Sequence, residues 1–99
     1  MRFFVKTEVR QGKLDDLARK VVNREFTPVE GNMVWVSPDG RFGYNLVEGR
    51  DEADVCAKFE PYDEYVVLLE VKPIESMGQF VERWKSVHGL AGQVAGFTF

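Results

Sequence analysis

Asn32-Met33-Val34-Trp35-Val36-Ser37-Pro38-Asp39-Gly40-Arg41-Phe42-Gly43-Tyr44-Asn45-Leu46-Val47-Glu48 is the stretch that decides the fold. Residues 32–37 read as a strand, with Met33, Val34, Trp35 and Val36 apolar on both faces. Ser37-Pro38-Asp39-Gly40 spells a tight hairpin, because proline presets its φ and glycine accepts a positive φ. Residues 41–48 return as the next strand. Phe42, Tyr44 and Leu46 point one way, and Arg41, Gly43, Asn45 and Val47 the other.

The flanks are matched units. Upstream, residues 2–9 alternate as a strand, with Phe3, Val5, Thr7 and Val9 on one face and Phe4, Lys6 and Glu8 on the other. Residues 13–26 follow as a helix whose stripe is Leu14, Leu17, Ala18, Val21 and Val22, stopped by Thr27-Pro28. Downstream, Asp51 is placed to cap a short helix over 51–59 that buries Val55, Cys56 and Phe59. Residues 65–72 form a fourth strand, with Tyr65, Val67, Leu69 and Val71 opposite Val66, Leu68, Glu70 and Lys72. A third helix spans 76–88, opened by a Ser76-x-x-Gln79 capping box and striped by Met77, Phe80, Val81, Trp84 and Val87.

The order is β-α-β-β-α-β plus one helix, so the expected class is α+β. Two crossovers sharing a hairpin give a ferredoxin-like sandwich with an extra C-terminal helix. Right-handed crossovers put the first two helices on one sheet face. The other face is left open, with Phe4, Val66, Leu68 and one side of 33–36 on it. The extra helix is placed to cover part of it, and a second subunit is expected to cover the rest. Residues 1–88 form the domain. Residues 89–99 form an uncharged tail with two open readings: Val94, Phe97 and Phe99 dock or extend a sheet edge, or the three glycines leave it disordered.

Composition narrows the options. The chain of 99 residues carries thirteen Lys plus Arg against sixteen Asp plus Glu, with neither half forming a basic patch, so nucleic acid is not expected as a partner. No apolar run reaches the roughly 20 residues of a membrane span, and a membrane partner is not expected either. No signal-peptide core precedes Lys6, and Cys56 is the single cysteine, which makes the cytoplasm the expected compartment. One histidine and one cysteine build no His/Cys zinc site, so no metal and no cofactor are expected.

Element order and length resemble the dimeric α/β-barrel superfamily. The strand Arg41-Phe42-Gly43-Tyr44-Asn45-Leu46-Val47-Glu48, the acidic short helix and residues 65–74 are similar to a small family of unknown function within it. Pro61-Tyr62-Asp63 ahead of a strand ending Glu70-Val71-Lys72-Pro73-Ile74 also resembles muconolactone isomerases. The resemblance implies two protomers packed sheet to sheet around a cavity, hence a homodimer.

The candidate site residues follow from alternation and chemistry. Lys6, Glu8, Arg41, Asn45 and Glu70 are expected on the open face, where they would orient a ligand, and Trp35 would stack on it. His88 is the side chain that titrates near neutrality, so it is a candidate proton carrier at the helix end. Tyr62 and Asp63 form a tyrosine–carboxylate pair after a proline loop, suited to proton transfer. Asp51-Glu52-Ala53-Asp54 spells a helicase box but lacks the phosphate loop that box requires, and reads instead as a helix N-terminus. The leading expectation is a homodimer that binds a small, mostly apolar molecule in a sheet-face cavity. The alternatives are a cofactor-independent isomerase, cyclase or monooxygenase, and an assembly module without ligand. Whether the chain is an enzyme stays open at this point.

Overall fold

Alternation in β1 (Arg2–Val9) organises the sheet: Phe3, Val5 and Thr7 are buried, while Phe4, Lys6 and Glu8 are half-buried. The computed structural model describes residues 1–26 and 31–88. The Thr27-Pro28 stop and the docking tail lie outside the described residues. β2 (Met33–Val36) pairs with β3 (Phe42–Glu48), and β1 lies between β3 and β4 (Val66–Ile74). The order β2-β3-β1-β4, antiparallel throughout, is compatible with the ferredoxin-like sandwich. The β2–β3 turn forms as its residues dictate. Gly40 takes φ 74° and donates its N–H to the Ser37 carbonyl at 2.8 Å.

The core is small and lies under one helix. Asp51 caps α2 (Glu52–Lys58) by accepting the Asp54 N–H at 2.8 Å. Val55 of α2 and Phe59 just beyond it pack with Phe3, Val5 and Val47, and Leu68 and Val71 join from β4. Cys56, expected in the same stripe, is only partly buried.

α1 (Leu14–Val22) ends four residues earlier than the sequence suggests. Its last carbonyls are taken by the Arg24 and Glu25 N–H groups, bound to Val21 and Lys20, and Arg24 sits at φ 57°. The reversal is therefore made by a left-handed residue at the helix end. No residue of α1 is fully buried, and Val22, expected in its packed stripe, is 78% exposed. In α3 (Met77–His88) the capping box closes both ways: Gln79 donates its N–H to Ser76 Oγ, and Ser76 donates its N–H to Gln79 Oε1, each at 3.1 Å. Of its apolar stripe only Val81 is buried; Met77, Phe80, Trp84 and Val87 are exposed.

Register corrects the expected faces. Phe4 lies opposite Leu46, Lys6 opposite Tyr44 and Glu8 opposite Phe42, so these share the open face. β2 adds Met33 and Trp35 to it, through Leu46 and Tyr44. Asn45 pairs with Val5 and lies on the helix-covered face instead, 4% exposed. A shift in the β1–β4 pairing between Lys6 and Thr7 changes the partner from Glu70 to Leu68. One extra residue in β4 thereby puts Val66 and Leu68 opposite Val9 and Thr7 on the helix side, and brings Val67 to the open face beside Glu8. No helix among the described residues is long and apolar enough to cross a membrane.

Candidate functional site

On the helix side α2 fills only part of the sheet, and the space under α1 stays open. A cavity of about 640 Å³ lies there. Val34 and Val36 of β2, Gly43 and Asn45 of β3, and Thr7 and Val66 form its floor. Leu17 and Val21 of α1 form its roof. Phe26, Phe59 and Tyr62 line one part of it, and Asn32 and Arg24 also line it. Small residues on the floor explain the empty volume. A Cβ at Gly43 would sit 2.5 Å from Thr7 Oγ1, so a side chain at that point would force Thr7 to move.

One polar chain runs into these apolar walls. Asn45 donates through Nδ2 to the Val5 carbonyl at 3.1 Å, and its Oδ1 accepts from Asn32 Nδ2 at 3.1 Å. Asn32 Oδ1 is buried with no hydrogen-bond partner. Aromatic rings gather beside the cavity: Phe26 lies 4.8 Å from the Tyr62 ring, tilted 42°, and 5.4 Å from Tyr65, edge-on at 79°. Burial pushes the Tyr62 hydroxyl above its ordinary value of 10.0, because the phenolate is the costlier form to desolvate. Tyr62 is therefore a neutral phenol at pH 7, a hydrogen-bonding group rather than a ready base.

A larger recess of about 880 Å³ opens between the strand ends and α3, beside Arg2, Glu48, Glu75 and Arg83. Its charges are already paired. The N-terminal amine and Arg2 reach Glu48 at 3.5 and 3.3 Å, and Arg83 is bridged to Glu75. The recess is wide and polar, without the apolar enclosure that holds a small molecule. The cavity under α1 is also open to solvent, but its lining is mostly apolar.

The sequence-derived site residues divide between places. Tyr62 and Asn45 meet at the cavity. Lys6, Trp35 and Glu70 belong to the open face, where Glu70 pairs with Lys72 at 3.1 Å. Arg41 binds Glu8 through Nε at 2.7 Å and Nη2 at 2.6 Å, and its guanidinium stands 5.1 Å from the Phe42 ring centre. Lys6 Nζ lies at the same distance from that ring. Asp63, its side chain 82% exposed, pairs with Arg10 at 3.4 Å and does not line the cavity. His88 closes α3, donating from Nδ1 to the Trp84 carbonyl at 2.9 Å and stacking on the Trp84 ring at 4.2 Å. Three polar cavity residues had escaped notice: Thr7, Arg24 and Asn32. Asn32 shares strand parity with Val34 and Val36, which is the signal that places it; Arg24 left no signal, since its backbone reversal has no sequence mark. Among the described residues no group of three or more His, Cys, Asp or Glu is placed to hold a metal ion.

Fold and site define a small α+β domain with a helix-roofed apolar cavity on one sheet face and a partly exposed, largely apolar surface on the other. Residues 1–88 match the family described as "Domain of unknown function (DUF3303)". The match covers most of the chain, and the chain belongs to that family. No curated protein and no solved structure matches it. These comparisons link it to no muconolactone isomerase.

Proposed function

We propose that this chain is a cytoplasmic homodimeric domain that binds a small, mostly apolar molecule, held in the cavity between α1 and the sheet. The observation that carries the reading is the cavity itself. Its volume of about 640 Å³ falls within the range of small-molecule sites, and its mostly apolar lining carries one hydrogen-bonded amide pair. The seat is moved from the open face, where the sequence put it, to the helix side.

The homodimer reading rests on the opposite face. Met33 and Trp35 of the edge strand are each more than half exposed, beside Phe4, Phe42, Tyr44 and Leu46. Most of its ionic groups pair within the chain, as Glu8–Arg41 and Glu70–Lys72, and Lys6 lies over the Phe42 ring, so a second copy meets few bare charges there. The enzymatic alternative needs two titratable groups converging on a reacting atom. Among the described lining residues the phenol of Tyr62 and the guanidinium of Arg24 are the only ionisable groups, and an arginine is no proton carrier, which favours binding over proton-transfer chemistry.

Methyl NMR of the full chain titrated with 2-naphthol tests the reading. The valine methyls of Val34, Val36 and Val66 are expected to shift saturably, and Val36→Trp, which fills the floor, to abolish the response. Shifts confined to Met33 and Leu46 on the open face would overturn it.

A further inference from the structure

We propose that the cavity takes a ring-bearing carboxylate that also carries a hydroxyl, its carboxylate held at Arg24 and its hydroxyl donating to Asn32. This rests on the cavity reading above and names the ligand class of that site.

Arg24 is the first observation. It is the sole non-glycine residue with positive φ among the described residues. It occupies the position after the helix end where glycine is favoured, since the left-handed backbone crowds a Cβ. Ending the helix asks for no arginine, and glycine would do it with less strain. What arginine adds is a permanent cation. Arg24 is exposed yet lines the cavity, which places it at the rim. Among the described residues its guanidinium has no ion pair or hydrogen bond, whereas Arg2, Arg10, Arg41, Arg50 and Arg83 are each paired. A strained residue that carries a charge with no partner among the described residues to the mouth of an apolar cavity is the arrangement expected of a ligand clamp. A guanidinium fork matches a carboxylate in two hydrogen bonds.

Asn32 is the second, independent observation. Its Nδ2 is committed to Asn45, and Asn45 to the Val5 carbonyl, so the amide cannot turn over without breaking the chain. That leaves Oδ1 buried at the cavity as an acceptor with no donor. A buried acceptor is costly until a donor arrives. A ligand hydroxyl supplies one, and the phenyl ring of Phe26, tilted against Tyr62, offers an aromatic surface for the body of the molecule.

Isothermal titration of the full chain with 2-naphthol, 2-naphthoate and 6-hydroxy-2-naphthoate separates these contributions. 2-Naphthoate is expected to bind about fivefold tighter than 2-naphthol, the ratio a partly exposed charge pair supplies. The 6-hydroxy compound should bind tighter still. R24G should erase the carboxylate preference while raising the unfolding midpoint, because glycine relieves the left-handed backbone. R24K should retain much of the preference, and N32A should remove the gain from the hydroxyl alone. Equal affinities for naphthol and naphthoate, or a preference that survives R24G, would overturn the ligand class and leave the cavity reading standing. Failure of all three probes to bind would overturn both.

Discussion

Asn32 and Asn45 are joined by a 3.1 Å hydrogen bond on the cavity side of the sheet, and Asn45 in turn holds the Val5 carbonyl. A polar relay thus passes from the backbone of the central strand to the cavity through residues that two strands bring together. Asn45→Ala removes an acceptor from Asn32 and a donor from Val5. The expected loss is about 1–3 kcal/mol in urea denaturation, the cost of stranding buried polar groups. Lys6→Ala on the other face should stay within about 0.5 kcal/mol. The reverse ranking would mean the two faces are exchanged.

Phe59 is 6% exposed in the one tight cluster, whereas Val22 stands in the open. Phe59→Ala should cost about 3–5 kcal/mol as a core truncation. Val22→Ala should change chemical denaturation by less than about 0.5 kcal/mol. Equal costs would show α1 packed as closely as α2.

Trp35→Glu tests the open face. A carboxylate in the middle of an apolar subunit contact opposes association, since burying an unpaired charge is unfavourable. Light scattering should report the mass of two chains for the unaltered protein and one for the variant, with the far-ultraviolet dichroism unchanged. A variant that keeps the dimer mass would place the contact elsewhere.

The Arg50 N–H, bound to Asp54 at 3.0 Å, holds the Asp54 carboxyl below its usual 3.8, with Lys58 and Arg50 adding charge. The carboxylate is thus favoured in the folded state. Its contribution to stability is fully present above the unfolded value of 3.8 and is lost as pH falls through the lower folded value. The difference in unfolding midpoint between the protein and Asp54→Asn should be constant at neutral pH and shrink in acid below that point. A difference that grows in acid would contradict the sign.

Much of the architecture was legible because it is local. The Ser37–Gly40 turn, the Asp51 cap and the reciprocal Ser76–Gln79 box are each written within four residues, and each forms as written. What could not be read is register. Alternation separated Phe42, Tyr44 and Leu46 from Gly43, Asn45 and Val47, but the bulkier set is not the one under the helices. Pairing with Val5 and Thr7 decides that, and it sends the smaller set inward. The irregularity after Lys6 is also a pairing event, invisible in one strand, and it reverses the faces of Val66 and Leu68. The cavity was hidden for the same reason. It is made by what Gly43 and Thr7 leave unfilled beneath α1, and so depends on three elements at once.

The central claim is that a small molecule sits between α1 and the sheet. A crystal structure of the protein soaked with 6-bromo-2-naphthoate tests it most directly, since bromine marks its own place by anomalous scattering. One dominant bromine peak is expected in the cavity bounded by Leu17, Val36 and Val66, with the carboxylate toward Arg24. A dominant peak on the open face beside Trp35 and Tyr44, with the cavity empty, would contradict it.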